Sequence, residues 1–437
     1  MSDVSMEKLV SLAKRRGFIY PGSEIYGGLS GTWDYGPLGI ELKNNIKHLW
    51  WRMFVQDRDD MCGLDAAILM NAEVWKASGH VEGFQDPLVE CKKCHHRFRA
   101  DQVADPSTGL GASKCPECGG SFGEVRHFNM MFKTRVGATE DEYSVTYLRP
   151  ETAGGIFVNF KNVIDSFHPK LPFGIAQIGK AFRNEIAPRD FIFRSREFEQ
   201  MEIEYFVRPL EWESSFETWR KNVHAFNEAV GIPHSRVHEL EVADVDRAHY
   251  SNRTIDFEFE YPFGRKELSG LAYRADFDLS AQAKSSGVDL SYLDEASGER
   301  FVPHVVEPSF GVDRTILAVL SSSYTEDEVN GETRIFLRFN KAVAPIKAAV
   351  FPLLKNKPEL VAKAREIYLM LKKEVPQIMW DDNGNIGKRY RRQDEIGTPA
   401  CITIDFQTLE DDTVTVRNRD TGEQERVSSD SLVSRVT

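Results

Sequence analysis

The sequence has no apolar run long enough to span a membrane and no apolar leader at its start. Crossing a bilayer as a helix takes roughly 18 or more consecutive apolar residues, and no stretch of the 437-residue chain approaches that length. The first residues mix acidic, hydroxyl and basic side chains, without the basic and then apolar order of a secretory signal. We therefore expect a cytoplasmic protein with no membrane partner.

The sequence also lacks the motifs of two common kinds of catalytic site. Its glycine-rich segment at residues 22–39 is not followed by the Lys-Ser/Thr pair of a phosphate-binding loop. No Ser-His or Cys-His constellation of a covalent catalyst is evident, and there are no internal repeats. The length of the chain allows about two or three domains with an ample core.

Basic side chains are fewer than acidic ones, 55 against 67, which gives a net charge of −12. Because phosphate affinity comes largely from lysine and arginine, this balance argues against a protein that coats nucleic acid non-specifically. One local basic run, Gly387–Arg392, is a candidate for binding nucleic acid. A solvated basic loop is the other interpretation, and the segment alone leaves both open.

Cysteine is scarce, and four of the six cysteines form one pattern. Two Cys-x2-Cys pairs separated by twenty residues have the spacing of a zinc ribbon. The four residues are Cys91, Cys94, Cys115 and Cys118. In a cytoplasmic chain this pattern favours metal over disulfides, and four thiolates indicate a structural Zn²⁺. Three nearby histidines could each replace a thiolate: His95, His96 and His127.

The stretch 173–206 is predicted to be a β-hairpin with an unusual load of charge. Its first half alternates with period two, so Arg183 and Glu185 share one face of a strand. Pro188 and Asp190 break the pattern, and a returning strand follows. This hairpin suits a nucleotide, because arginine binds phosphate and phenylalanine stacks on bases. It carries an arginine and a carboxylate, then a turn, and then Arg-x-x-x-Phe. A solvated, salt-bridged face is the alternative interpretation.

Glu199 is the exception on the returning strand. It shares a face with Met201, Ile203 and Tyr205, where a carboxylate is costly unless another group compensates it. This position marks Glu199 as a candidate for binding a ligand.

Several of these segments resemble the class II aminoacyl-tRNA synthetases. The hairpin matches their motif 2, Phe-Arg-x-Glu followed by a loop and Arg/His-x-x-x-Phe. Arg149–Thr152, Glu197–Phe206 and Glu307–Arg314 narrow the resemblance to the single-polypeptide glycyl-tRNA synthetases. The resemblance covers nearly the whole chain, with the motifs in the family's order. One departure is at Gly154 and Gly155, where many relatives carry Ala-Gln-Gly after Glu-Thr.

The resemblance implies an α+β catalytic domain with an antiparallel sheet, a zinc-ribbon-like insert and a C-terminal α/β anticodon-binding domain. The expected parts are 1–87 with the motif 1 helix, the insert at 88–127, the catalytic core at 128–341 with an insertion at about 207–255, and the anticodon-binding domain at 342–437. The motif 1 helix, predicted from Leu38 to about Val55 by its apolar spacing, implies a homodimer.

The reaction implied by the resemblance has two steps. Glycine and ATP form glycyl-adenylate and pyrophosphate, and the glycyl group then passes to the 3′-hydroxyl of the tRNA for glycine. Such chemistry depends on positioning and charge neutralisation rather than on a covalent nucleophile. Arg183 and Arg314 are the implied catalytic residues, and Glu267 is the carboxylate linked to Mg²⁺. The implied ATP-binding residues are Arg183, Asn184, Glu185, Phe193, Arg194, Arg196, Phe198, Glu267, Leu268, Gly311, Asp313 and Arg314.

Glycine has one cationic group, so carboxylates must recognise its ammonium, and a tight pocket must exclude the methyl group of alanine. Overpacking such a pocket costs about 1–3 kcal/mol. If Glu151, Glu199 and Glu307 cluster without ligand, at least one of their pKa values should be raised. The implied glycine-binding residues are Arg99, Glu151, Phe198, Glu199, Gln200, Glu202, Glu307, Ser309 and Gly311. The implied tRNA-binding residues are Lys388, Arg389, Arg391 and Arg392.

Two other functions remain open at this point. Non-catalytic relatives with this fold bind nucleic acid or act in regulation, but they should have lost some ATP-contacting residues, which are present here. A class II enzyme for another small amino acid is the second alternative. A serine or threonine pocket would need partners for a hydroxyl, whereas the expected pocket is acidic.

Overall fold

The structure, a computed structural model, describes residues 4–103, 114–138, 144–329 and 331–436. Its helices are α1 (Met6–Arg15), α2 (Pro37–Trp51), α3 (Ala72–Ala77), α4 (His80–Gly83), α5 (Ala153–Phe167), α6 (Trp212–Ala229), α7 (Phe277–Ser286), α8 (Val312–Ser323), α9 (Pro358–Glu374), α10 (Ile386–Ile396), α11 (Phe406–Asp411) and α12 (Leu432–Val436). None of the helices in these ranges combines the length and apolarity needed to cross a membrane.

The strands follow the same chain order. They are β1 (Ile19–Pro21), β2 (Trp33–Tyr35), β3 (Met61–Gly63), β4 (Gln85–Glu90), β5 (Arg97–Arg99), β6 (Arg126–Asn129), β7 (Lys133–Arg135), β8 (Val145–Tyr147), β9 (Phe173–Phe182), β10 (Glu197–Val207), β11 (Val237–Glu241), β12 (Arg253–Tyr261), β13 (Gly264–Ala275), β14 (Tyr292–Asp294), β15 (Glu299–Phe301), β16 (His304–Gly311), β17 (Tyr324–Val329), β18 (Glu332–Leu337), β19 (Ala348–Pro352), β20 (Ile378–Trp380), β21 (Ala400–Ile404), β22 (Thr413–Asn418) and β23 (Gln424–Ser428).

Seven strands form the largest sheet, in the order β11-β12-β13-β16-β10-β9-β3. Neighbouring strands are antiparallel, except that β3 runs parallel to β9 at one edge. This arrangement confirms the predicted antiparallel sheet of the catalytic domain.

The predicted hairpin lies inside this sheet as β9 and β10, which pair along their shared length. Both strands end sooner at the turn than predicted, so Arg183, Glu185 and Arg194 lie in the turn itself. The turn contains one helical turn at Phe191–Phe193, and Asp190 adopts a left-handed conformation with φ of 58°. A period-two pattern cannot continue through such backbone.

Helices cover both faces of the sheet. α2, α6 and α8 pack against one face, where Met201 and Ile203 of β10 join their apolar side chains. α5 and α7 cover the opposite face together with Phe173 and Phe206. Removing apolar surface from water on both sides supplies the main driving force for this domain. It also means that a polar side chain on either face of β10 needs a partner.

The chain between about 207 and 255 packs and pairs with the main sheet, and its status as an insertion stays a prediction. α6 packs against the sheet, and β11 extends the sheet by pairing with β12. The apolar residues of α6 recur on one helix face, so the helix joins the main core. Between β11 and β12, the segment 242–252 connects the two strands and borders the cavity described below.

Two further sheets belong to the other predicted parts. The insert has a sheet in the order β5-β4-β6. The C-terminal sheet, in the order β20-β19-β21-β22-β23, is parallel around β19 and antiparallel at β22 and β23. α9 packs on it through Leu360 and Ile367, as expected for an α/β domain. The boundaries at 88–127 and 342–437 stay predictions.

Helix α2 also contacts the C-terminal part of the chain. Gln377 Nε2 donates to Glu41 Oε2 at 2.9 Å and to Asn45 Oδ1 at 2.8 Å. Asn45 Nδ2 in turn donates to the carbonyl oxygens of Val343 and Ala344 at 3.2 and 3.0 Å. The predicted motif 1 helix therefore lies between the central sheet and the C-terminal domain.

Candidate active site

One face of the central sheet carries a cavity of about 320 Å³. It lies over β10, β13 and β16 and is bounded by the hairpin turn, the segment 242–252 and the first turn of α8. Most of the predicted ATP-binding and glycine-binding residues line it: Glu151, Arg183, Glu185, Phe193, Arg194, Phe198, Gln200, Glu202, Glu267, Leu268, Glu307, Ser309, Gly311, Asp313 and Arg314.

Carboxylates gather at one end of this cavity. Glu202 Oε2 accepts hydrogen bonds from the Thr152 hydroxyl at 2.5 Å and from the Thr152 amide at 3.1 Å. Its Oε1 accepts from Ser309 Oγ at 2.8 Å. Carboxylate oxygens of Glu202, Glu204 and Glu307 lie within 4.8 Å of one another, and all three side chains are buried. Buried negative charge of this density requires cations or bound protons.

Arg274 supplies one cation from beneath the cavity. Its buried guanidinium donates to Glu307 Oε1 at 2.8 Å and to the two Asp278 oxygens at 2.7 and 2.9 Å. The Tyr250 ring lies over it, 3.7 Å from Cζ. The sequence analysis missed Arg274, although its spacing of four residues from Asp278 was a signal. One arginine does not neutralise the whole cluster, so this end of the cavity suits a positively charged group of a ligand.

Burial and mutual repulsion change the pKa values of these carboxyl groups. Burial raises the pKa of Glu307 to about 8, against the effect of Arg274 and with added repulsion from Glu202 and Glu151. Burial and Glu151 also raise the pKa of Glu202. Burial and Glu307 raise the pKa of Glu204 well above its usual range. The raised pKa values belong to Glu202, Glu204 and Glu307. The trio for which a rise was predicted does not form, because Glu199 lies on the other face of β10.

Glu151 shows the opposite shift. Burial alone would raise its pKa, but His80, Arg274 and Arg183 together lower it to about 2. His80 Nε2 lies 3.3 Å from Glu151 Oε2, and His80 Nδ1 lies 2.8 Å from Ser78 Oγ. Glu151 is therefore the ionised member of the cluster. The sequence analysis missed His80, because nothing local connects it with a glutamate far along the chain.

Arginines and aromatic rings occupy the other end of the cavity. Arg183 Cζ lies 5.3 Å from the centre of the Phe198 ring. Arg314 lies over the Phe193 ring at 4.6 Å and forms an ion pair with Glu267 Oε2 at 2.9 Å. Guanidinium groups bind phosphate oxygens, and phenyl faces stack on bases. This end therefore has the chemistry to hold a nucleotide.

Further carboxylates lie among these arginines. Glu185 Oε2 is 3.7 Å from Arg194 Nη1. Asp256, which the sequence analysis missed, also lines the cavity. Burial raises its pKa to about 7, and repulsion from Glu267 and Glu258 adds to the shift. Because Mg²⁺ favours one or two carboxylates together with phosphate oxygens, Glu267 and Asp256 could hold a divalent cation.

Glu199 does not reach the cavity, so its prediction as a glycine-binding residue is wrong. Successive side chains of a strand point to opposite faces, and Glu199 lies on the face that α2 covers. Its carboxylate oxygens are 2.7 Å from Lys43 Nζ and 2.8 Å from Lys47 Nζ. These two cations compensate the carboxylate on the apolar face. Glu202 takes the place that was expected of Glu199 among the cavity carboxylates.

Arg196 and Asn184 make contacts with neighbouring backbone, and their role as ATP-binding residues stays a prediction. Arg196 donates from Nε and Nη2 to the Glu185 carbonyl at 3.2 and 3.0 Å, and from Nη1 to the Ser30 carbonyl at 2.7 Å. The Asn184 amide donates to the Met130 carbonyl at 2.8 Å. Both residues tie the hairpin turn to neighbouring loops and so support the residues that line the cavity.

Arg99 lies on β5 and is not among the residues that line the cavity, so its role in glycine binding stays a prediction. Its Nη1 donates to Asp86 Oδ2 at 2.6 Å. Its Nε and Nη2 donate to the two Asp101 oxygens at 3.1 and 2.8 Å. With two carboxylates already bound, the guanidinium connects β5 to β4 within the insert.

Two family models match the chain. The tRNA synthetase class II core domain (G, H, P, S and T) matches residues 132–323, and the anticodon binding domain matches residues 347–437. The glycine–tRNA ligase of Caldanaerobacter subterraneus subsp. tengcongensis is 51% identical, over 98% of this chain and 97% of that protein. The enzyme of that name from Thermobifida fusca is also 51% identical, over 98% and 96%. The one from Treponema denticola is 50% identical, over 99% and 96%.

The chain belongs to the glycine–tRNA ligase family. The predicted family, the class II fold and the class of enzyme are thereby confirmed. The family model of the core also includes the hairpin, β16 and α8, which carry most of the cavity.

Within the part that matches the anticodon binding domain, the predicted basic patch is only partly accessible. Lys388 and Arg391 are exposed on α10. Arg389 is buried and donates to backbone carbonyl groups at 2.8 and 3.1 Å. Arg392 forms hydrogen bonds of 2.8 and 2.7 Å with the carboxylate of Asp381. The tRNA-binding prediction is wrong for Arg389 because successive helical residues point in different directions.

The cysteines of the insert converge as the family resemblance implied. Their sulfur atoms lie within 4.8 Å of one another, with 3.4 Å between those of Cys91 and Cys118 and 3.7 Å between those of Cys94 and Cys115. The group consists of Cys91, Cys94, Cys115 and Cys118. A tetrahedral ion with metal–sulfur distances of about 2.3 Å needs sulfur atoms about 3.8 Å apart. The four thiolates can therefore hold one metal ion, while His95 and His96 contact carboxylates.

Replacing Glu307 by glutamine should flatten the dependence of stability on pH. The folded-state pKa of about 8 exceeds the unfolded value, so the neutral carboxyl stabilises the fold at low pH, and this contribution is lost as pH rises through 8. Glutamine keeps the shape of the neutral acid and cannot ionise. We expect Glu307→Gln to gain stability relative to the unchanged chain by up to about 1.4 kcal/mol per pH unit between about pH 5 and pH 8.

Urea unfolding of both chains at several pH values measures this difference. Glu213→Gln is the matched control, because Glu213 is exposed and its replacement should leave the pH dependence unchanged. Parallel curves for Glu307→Gln and the unchanged chain would show that Glu307 is ionised in the folded protein.

Proposed function

We propose that the chain activates glycine with ATP, giving glycyl-adenylate and pyrophosphate, and then transfers the glycyl group to the 3′-hydroxyl of its tRNA. The observation that carries the proposal is the division of one cavity into a carboxylate end and an arginine end. Adenylate formation requires an amino-acid carboxylate beside the α-phosphate of ATP, so both ends must adjoin.

The ammonium group of glycine binds among Glu151, Glu202 and Glu307. Ionised carboxylates attract the ammonium, so binding favours loss of the proton that the raised pKa keeps on Glu307. The carboxylate of glycine then points towards the arginine end. A methyl group on Cα would have to enter a buried space next to Ser309 and the glutamates, and overpacking of this kind costs about 1–3 kcal/mol.

ATP occupies the arginine end. Arg183 holds the α-phosphate and stabilises the charge that develops on it during attack. Arg314 contacts the remaining phosphates, and the rings of Phe198 and Phe193 contact the base. Glu185 accepts a hydrogen bond from the adenine amine. The reaction then depends on positioning and electrostatics, with the amino acid itself as the nucleophile.

Glu267 and Asp256, which both line the cavity, would hold Mg²⁺. Burial raises the pKa of Asp256 to about 7 and repulsion from Glu267 adds to the shift, so a nearby divalent cation would offset that repulsion. When bound, the ion neutralises charge on the phosphate oxygens. Glu267 now pairs with Arg314, and the Arg314 guanidinium would be available to the phosphates if Glu267 bound the ion instead.

The tRNA binds the C-terminal domain, which we place at 342–437, through exposed basic side chains that include Lys388 and Arg391. Arg392 contributes only if it leaves Asp381. The active form is a homodimer joined near α2, and the protein works in the cytoplasm, where charged tRNA is used. The insert, placed at 88–127, is held together by a structural Zn²⁺ on its four cysteines, because closed sets of four thiolates are typical of structural zinc.

Exchange of labelled pyrophosphate into ATP tests the proposed activity without tRNA. We expect exchange with glycine, and exchange about 10- to 200-fold weaker with alanine, which differs by one methyl group. Serine should behave like alanine, because the acidic end offers its hydroxyl little room. Glu307→Gln should lower kcat/KM for glycine about 10- to 100-fold, since it removes one charged partner of the ammonium.

Far-ultraviolet circular dichroism of Glu307→Gln provides the control for folding. Absence of exchange with any amino acid, from a chain that binds the tRNA, would indicate a non-catalytic relative. Preference for serine would indicate a different amino-acid specificity. Normal exchange by Glu307→Gln would remove Glu307 from the glycine site.

Metal analysis tests the zinc assignment independently of activity. The purified chain should contain about one zinc ion, and Cys115→Ala should lose it, because three remaining thiolates leave the coordination incomplete. Cys62→Ala is the matched control, since Cys62 is a free cysteine outside the cluster. Limited proteolysis should then cut the insert of Cys115→Ala faster than that of Cys62→Ala. Equal zinc content in both variants would contradict the assignment.

A further inference from the structure

Glu199 lies next to two cavity-lining residues of β10 but on the opposite face of the strand. Its side chain is buried, and each of its carboxylate oxygens binds one lysine of α2, Lys43 at 2.7 Å and Lys47 at 2.8 Å. The two lysines are four residues apart, so they project from the same helix face one turn apart. Glu199 therefore fixes the position of β10 against α2 at two points.

The backbone of Glu199 makes a second connection, to the start of α8. β16 pairs with β10 up to Gly311, which is opposite Gln200, and the chain then turns into α8. The Glu199 amide thus lies beyond the end of its neighbouring strand. Asp313, in the first turn of α8, accepts its hydrogen bond on Oδ2 at 2.8 Å. This contact replaces the missing strand partner.

Asp313 extends the connection to β2. Its Oδ1 accepts a hydrogen bond from the Tyr35 hydroxyl, and Lys43 Nζ lies 4.3 Å from the centre of the Tyr35 ring. Both lysines, Lys43 and Lys47, bind Glu199, and Asp313 joins the group through Tyr35 and the Glu199 amide. We refer to these five residues as the rear network; Glu199 faces away from the cavity, and Asp313 also borders it.

The rear network is adjacent in sequence to two residues of the arginine end. Phe198 precedes Glu199, and Arg314 follows Asp313. The Phe198, Arg314 and Asp313 side chains border the cavity. The Asp313 carboxylate also contacts the Glu199 amide and the Tyr35 hydroxyl, and the Glu199 side chain faces away from the cavity. The carboxylate end is held differently, because Glu307 is bound by Arg274 and Glu202 by Thr152 and Ser309.

We propose that Glu199 is a positioning residue for ATP, which sets the distance between Phe198 and Arg314 by joining β10 to α2 and α8. This inference rests on the proposed function, in which these two side chains contact the nucleotide. Glu199 itself touches no substrate. Its removal should therefore affect the nucleotide far more than glycine.

Glu199→Gln is the direct test. Glutamine keeps the size of the side chain but removes the charge that holds the buried Lys43 and the half-buried Lys47. We expect KM for ATP in glycine-dependent pyrophosphate exchange to rise about tenfold, a size typical of changes in such networks. KM for glycine should change by less than about twofold, because the contacts of the carboxylate end are unchanged.

Asp394→Asn is the matched control for loss of a buried ion pair. Asp394 is buried and binds two arginines, Arg417 at 2.7 Å and Arg334 at 3.4 Å, in the C-terminal part of the chain. Its replacement should lower the thermal unfolding temperature as Glu199→Gln does, yet leave both KM values unchanged. The comparison separates positioning from general loss of stability.

Lys47→Met provides a second variant in case Glu199→Gln does not fold. Lys47 is the more exposed lysine, and its replacement leaves the pair between Lys43 and Glu199 intact. A smaller rise in KM for ATP, about threefold, is expected from the loss of one contact. The double variant Glu199→Gln with Lys47→Gln should recover part of the ATP affinity, because it removes one of the unpaired charges.

Measurements on the unchanged chain come first, since absence of glycine-dependent exchange there contradicts the proposed function and not this inference. Given exchange, a selective rise in KM for ATP supports the positioning role. A selective rise in KM for glycine would instead return Glu199 to the glycine site. Unchanged KM values in folded Glu199→Gln and Lys47→Met would overturn the inference. So would equal rises in the KM values of Glu199→Gln for ATP and glycine, if Asp394→Asn showed the same rises.

Discussion

Burial of several carboxylates in one antiparallel sheet is the constraint on which the rest of the site depends. Glu202, Glu204 and Glu307 lie within 4.8 Å of one another, and Arg274 contributes one positive charge to them. Such a cluster is stable only if bound protons or further cations neutralise the remaining negative charge. In the ligand-free chain protons do so, as the raised pKa values indicate. In our proposal the ammonium of glycine takes over that role, so substrate recognition uses an electrostatic imbalance already present in the fold.

The two faces of β10 carry residues with different roles in the site. One face carries Phe198 and Glu202 into the cavity, and the other carries Glu199 to the lysines of α2. Both faces are covered by helices, so each charged side chain needs a partner wherever it points. Because α2 also binds Gln377 of the C-terminal domain, one helix contacts the rear of the nucleotide site and the part of the chain that we propose to bind tRNA.

Much of this could be predicted from sequence, and the failures share physical causes. The hairpin, the helix at Arg314 and the cysteine cluster have local patterns, and most cavity residues follow from motifs. Period two shows which residues of a strand share a face, but it does not show which face meets the ligand, so Glu199 was misplaced. The pairing of Arg274 with Glu307 joins strands distant in sequence. Arg389 was assigned to tRNA because charge alone does not reveal which helical residues are buried.

Proton release on glycine binding tests most directly the claim that the cavity keeps Glu307 neutral until an ammonium arrives. Calorimetric titration of glycine into the chain at about pH 7, in two buffers with different heats of ionisation, counts the protons exchanged. With a pKa of about 8 for Glu307 in the free chain, we predict release of nearly one proton for each glycine bound, and less as pH rises above that value. Equal binding heats in the two buffers would contradict the account, because they would mean that the carboxylates are already ionised before glycine binds.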